Sequence, residues 1–202
     1  MHCRSFRRQV ADMHQPSLYQ RVLGADFERL DPVLRLFHGR DAGQAQGLLK
    51  IVSPPRWWAP LLVWVCRLPS AGLRGLRLDV SPCGRGQKWL RQIGWQRLVT
   101  TQSAGSCGLL EHHGPLTLAF TLQVRWGGLT MRSQRAWLCG VPLPSWFAPR
   151  VSAAVVPEPI GWRVRVRIRL PWLGEINRYE GSVICHDCLL EPAASAGSAR
   201  RV

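Results

Sequence analysis

A chain of 202 residues with 46% apolar and 19% charged residues has the composition of a folded domain. At that size it needs neither disulfides nor a structural metal to bury a core. The net charge of +15 raises polyanions as partners, although only Lys50 and Lys88 among the 27 basic residues are lysine, so compositional bias contributes to the arginine excess.

The N-terminus MHCRSFRRQVADMHQ has no apolar stretch behind its basic residues, so no secretory signal is predicted, and residues 1–16 read as a disordered extension. Residues 17–38 read as helical, with Leu18, Val22, Phe27, Leu30, Leu34 and Phe37 recurring and Ser17 placed to cap. Asp31-Pro32 divides this stretch, with Asp31 capping and Pro32 at the first helical position. Residues 38–47 read as a loop and 48–52 as a short strand closed by Ser53-Pro54-Pro55. A second, wholly apolar helix is predicted from Arg56 to Leu68, buried against a sheet. Its run WWAPLLVWVCRL falls short of the ~20 residues of a spanning helix, so no transmembrane segment is predicted.

From residue 75 the period changes to two. Segments 76–81, 86–93, 96–103, 108–113, 115–125, 128–139, 151–157, 161–170 and 175–184 alternate apolar and polar residues between turn signals, Gly127-Gly128 among them. The fold class is therefore α+β and mainly antiparallel β. We expect a strongly curved sheet, half-barrel or barrel, with two N-terminal helices packed on it. Residues 17–184 form one domain in this reading, and 185–202 are a disordered tail.

Several stretches carry candidate chemistry. In WLRQIG (89–94), Trp89, Arg91 and Ile93 share one face. Arg91 either lies along the surface or sits inside a cavity opposite an acid, with Glu111, Tyr179 or Glu180 as partner. In EHHGP (111–115), Glu111 and His113 share a face, the beginning of acid–base chemistry, but no nucleophile accompanies them. No catalytic residue is assigned, and a non-enzymatic role is preferred. The Cys-x-x-Cys of ICHDC (184–188) offers two thiolates where structural zinc takes four ligands, so no metal and no cofactor are expected. Seven cysteines at irregular spacing point to reduced thiols and a cytoplasmic location. GVPLPSWFAPR (140–150) reads as a rigid connector whose aromatics cap the sheet or gate its interior.

In WRVRVRIRLPWLG (162–174), Arg163, Arg165, Arg167 and Arg169 occupy one strand face, with Trp162 and Trp172 assigned to the other. Aromatics for base stacking are missing from the arginine face, so it reads as a solvated outer wall with weak attraction to anionic surfaces, and nucleic acid is disfavoured.

LYQRVLGADFERLDPVLRLFHG (18–39), KWLRQIG (88–94), LLEHHGPLTLAFTL (109–122), WLCGVPLPSWFAPRV (137–151) and WRVRVRIRLPWLGEINRYEG (162–181) fit one family in order and spacing. Over about residues 17–183 the chain resembles the bacterial family known as domain of unknown function 4166. After Tyr179-Glu180-Gly181 it departs from that pattern. Members joined to dehydrogenase-like modules imply an auxiliary domain and no particular reaction.

These readings favour a domain that holds a hydrophobic or amphipathic, lipid-like ligand inside the curved sheet. Trp89, Arg91, Glu111, His113, Phe120 and Tyr179 are its candidate contacts, Arg91 meeting an acidic head group. The alternatives are an accessory module of a partner enzyme without a ligand of its own, and a charge-driven binder of nucleic acid or anionic membrane.

Overall fold

Short turns pass each strand to its neighbour until the sheet closes on itself. The computed structural model describes residues 15–54, 68–106 and 108–186. Its strands are β1 (Gly43–Val52), β2 (Gly72–Cys83), β3 (Gly86–Ile93), β4 (Gln96–Gly105), β5 (Gly108–His113) and β6 (Leu116–Arg125). They continue as β7 (Gly128–Leu138), β8 (Val141–Pro142), β9 (Arg150–Pro157), β10 (Trp162–Leu170) and β11 (Gly174–Cys185). Every pairing is antiparallel: β1 to β7 follow in order, β7 passes to β9, then β10 and β11, and β11 returns to β1. This is a ten-stranded closed barrel, with β8 as a two-residue addition to β7. Of the two architectures expected, the closed one is present.

Alternation sets the polarity of the wall. On β10, Trp162 and Val166 are buried inside, whereas Arg163, Arg165, Arg167 and Arg169 are exposed outside. An apolar lumen and an arginine-bearing outer wall reverse the polarity of a membrane-spanning barrel. No helix among the described residues is long and apolar enough to cross a membrane.

The strand positions follow the predicted segments closely, with one correction. Residues 43–47, expected in a loop, are the first half of β1. Gly-Gln-Ala-Gln-Gly lacks β-branched residues, but the seam with β11 requires small ones. A Cβ on Gly47 would overlap the Ser182 carbonyl oxygen, and one on Gly181 would overlap that of Leu48. Gly181→Ala should therefore cost about 1–3 kcal/mol through overpacking, measured by urea unfolding. The β6–β7 turn is Trp126-Gly127, one residue earlier than its signal, with both φ values positive (48° and 74°) as a type I′ hairpin requires.

The two predicted N-terminal helices are not both seen. The first, 17–38, comprises α1 (Leu18–Leu23), which runs into a 3-10 segment, Gly24–Arg29, and the short α2 (Pro32–His38). Asp31 caps α2 by accepting from the Val33 N–H at 3.0 Å, with Pro32 following. Ser17 caps α1 in a reciprocal box with Gln20, and its hydroxyl donates to the His38 carbonyl at 2.7 Å, joining α1 to α2. α1 packs against β4, β5 and β6, with Leu18 and Tyr19 almost wholly buried. The second predicted helix, 56–68, lies outside the described residues apart from Leu68, as do the terminal segments 1–14 and 187–202.

The helical segment closes the barrel end where β1 begins. At the opposite end lie the β3–β4, β5–β6 and β10–β11 turns and the 139–149 connection. Trp172, expected on the apolar face, is 72% exposed in the turn after β10. Cys185, expected as a reduced thiol, is disulfide-bonded, while Cys83 and Cys139 are free thiols on the surface.

Candidate functional site

Successive inward positions of the wall line one cavity of about 220 Å³ along the barrel axis. Its lining is mostly Leu, Ile, Val, Phe and Trp, from β2 across the barrel to β11. Trp89, Arg91, Glu111, His113, Phe120 and Tyr179 all lie on it. The wall brings these six together because each occupies the inward phase of its strand.

The polar part of the lining is concentrated on β3, β4 and β5. Arg91 Nη1 donates to Glu111 Oε1 at 3.0 Å and to Thr100 Oγ1 at 2.9 Å, and the two charged side chains are only 18% and 15% exposed. Of the partners weighed for Arg91, Glu111 is the one it takes. Glu180 instead lies outside, accepting from Arg165 at 2.9 Å. The Arg91 guanidinium also sits 5.0 Å over the Trp89 ring, a cation–π contact. Trp89 Nε1 donates to Gln87 Oε1 at 3.0 Å, and Gln87 Nε2 donates to Asp41 Oδ1 at 2.8 Å. That carboxylate also accepts from the Leu18 N–H, so the chain of bonds runs from the polar cluster to the start of α1.

Tyr19, His38, Thr100 and Gln102 are polar lining residues that the sequence reading did not single out. Tyr19 reaches from α1 and donates its hydroxyl to Gln102 Oε1 at 3.0 Å. His38, the last residue of α2, packs on Tyr19 with ring centroids 4.2 Å apart. Gln102 is the inward neighbour of Thr100 on β4, and both are buried. Tyr19 and His38 fall beside the apolar stripe of the helix, and only the barrel end gives them an inside to point at. For Gln102 the period-two phase with Thr100 was the available signal.

Burial sets the protonation of these groups. Burial pushes the Tyr19 hydroxyl well above its usual range; Glu111 adds to this, and Arg91 and the Gln102 bond oppose it. Tyr179 is raised by burial, with Arg91 opposing and Glu111 adding. Burial alone would lower the Arg91 guanidinium, but Glu111, with Tyr179 and Tyr19, outweighs it and the net shift is upward. His38 is pushed down to about 4 by burial, so it is neutral at pH 7. Near neutrality the cluster therefore offers one balanced ion pair, neutral tyrosine hydroxyls and a neutral imidazole. Among the described residues no three His, Cys, Asp or Glu side chains gather as a metal set. His112 points away from His113, its Nδ1 2.9 Å from Thr117 Oγ1.

On the outer wall, Arg163 and Arg165 pair with Glu158 and Glu180, each at 2.9 Å. Arg167 stands opposite Arg178, and Arg169 opposite Arg150.

These features define a class: a closed antiparallel barrel with an apolar lumen and one polar cluster on its wall. The model of the family described as Domain of unknown function (DUF4166) matches residues 30–183, and the chain belongs to that family. The match takes in α2, every strand of the wall and the Arg91–Glu111 pair, but begins after α1. No curated protein and no solved structure matches the chain.

Proposed function

We propose that this domain binds an elongated, largely apolar molecule with an uncharged polar head inside the barrel. The observation that carries this reading is an apolar cavity whose wall bears a compensated ion pair and tyrosine hydroxyls. Ligand cavities combine such a lining with a few placed polar groups that orient the guest. The sequence suggested an acidic head group for Arg91, but Glu111 already balances that charge. A second carboxylate beside Glu111 would be repelled. A hydroxyl, carbonyl or ester oxygen instead finds donors at Arg91 Nε and Nη2, because both observed bonds leave from Nη1. Trp89, His113, Phe120 and Tyr179 supply the remaining contacts, and no catalytic step is assigned.

Native mass spectrometry of gently purified protein should show a co-purifying apolar molecule, and a long-chain alcohol should raise the melting temperature more than the matching fatty acid. Ala153 lines the cavity, so Ala153→Phe should remove both effects while the protein stays folded. A clean mass together with no thermal shift from either compound would overturn this reading and favour the accessory-module role.

A further inference from the structure

The barrel end opposite the helices carries exposed aromatics that the lumen does not use. Trp146 and Phe147, in the 139–149 connection, are 56% and 55% exposed, and Trp95 in the β3–β4 turn is 78% exposed. Trp146 packs on Phe147 and Trp172, with ring centroids 5.9 and 5.4 Å apart, and Trp172 Nε1 donates to the Trp146 carbonyl. Beside them the sheet sets Arg150 directly opposite Arg169, a like-charge pair that opposes folding, with Glu175 opposite Arg169 on its other side. At the strand termini of this end Arg97, Arg150 and Arg169 face only one described acid, Glu175, whereas at the helical end Asp26, Glu28 and Glu158 are each ion-paired with an arginine.

We propose that this aromatic end docks on the surface of an anionic lipid bilayer. Indole rings with an apolar body and a polar N–H partition to the membrane interface, and guanidinium groups pair with lipid phosphates. Charge complementarity favours this occupant, since each basic residue near an anionic surface strengthens binding on the order of fivefold. The ring geometry argues against nucleic acid. Trp146 meets Phe147 edge to face at 76° and Trp172 in a tilted pair at 54°, so the rings present no parallel platform for bases. The proposal stands apart from cavity binding, because a barrel with an empty lumen would dock equally well. The cavity does extend towards this end, reaching Ile93, His113, Leu116 and Val151 at the strand termini.

Flotation of the full chain with vesicles tests the proposal. Phosphatidylcholine vesicles containing phosphatidylserine should carry the protein up, and vesicles of phosphatidylcholine alone should not. The double variant Phe147→Ser/Trp172→Ser should lose flotation at least tenfold. Arg150→Gln/Arg169→Gln should weaken it by a similar factor, whereas Trp126→Ser, at the helical end, should leave it unchanged. Equal flotation on both vesicle types, no flotation on either, or full retention by the aromatic double variant would each overturn the proposal. So would tighter binding to a single-stranded RNA that the aromatic double variant keeps and the arginine double variant loses.

Discussion

Replacing Arg91 with alanine should remove about 3–5 kcal/mol of unfolding free energy, a large part of the ~5–15 kcal/mol typical of a domain. The cause is the group left behind. Glu111 is 15% exposed and shares its partner's only charge compensation, so Arg91→Ala strands a carboxylate against an apolar wall. Glu111→Ala should act in the same direction by stranding the guanidinium. The double variant Arg91→Met/Glu111→Leu should recover most of the loss, since apolar groups of similar volume need no compensation. Urea midpoints of the four proteins complete the cycle. A loss under about 1 kcal/mol in either single variant would mean that water in the cavity solvates the pair, as at a surface. Because the effect on folding is large, Arg91 is a poor position at which to test ligand binding, which is why the binding test rests on Ala153.

Acid should weaken the fold through His38. Its folded pKa of about 4 lies below the usual value near 6.5, so the unfolded chain binds the proton more readily. Stability is therefore fully present above pH 6.5 and is lost as pH falls through 4, by about 2 kcal/mol at pH 5 and about 3 kcal/mol at pH 4. His38 sits among Tyr19, Phe37 and Trp89, with ring centroids 4.2, 5.3 and 6.2 Å away, a niche that suits a phenyl ring. His38→Phe should remove this part of the pH dependence, and the difference between the two urea titration series isolates it from the carboxylates. Parallel series between pH 7 and pH 4 would show that His38 is solvated or protonated in the fold.

Much of the wall was legible because alternation is a local property. Strand phase alone placed Trp89 with Arg91, Glu111 with His113, and Phe120 in an apolar stripe, and the turns fixed where one phase ended, but phase left open whether Arg91 faced solvent or the interior. Closure was not local. Whether the last strand meets the first depends on Gly47 and Gly181 permitting close approach across the seam, and glycine reads equally well as loop. That ambiguity hid the first half of β1. Which of Glu111, Tyr179 and Glu180 partners Arg91 was also left open, since Glu111 lies two strands away and meets it only once β3, β4 and β5 curl. Trp172 shows the opposite failure, where alternation was extended two residues past the end of the strand that obeys it.

Every pairing of long strands but one joins strands near each other in the sequence. The exception is the seam that joins β1 to β11, the first strand to the last. Local hairpins form fast, whereas a contact between chain-distant strands must first overcome the entropy of bringing them together. The seam then closes last, after the rate-limiting assembly of the hairpins, and is the first line along which the barrel opens. Contacts made after the rate-limiting step leave the folding rate unchanged and appear in unfolding. The cost of Gly181→Ala should accordingly fall on the unfolding limb of its chevron, making this glycine pair a determinant of how long the folded protein lasts.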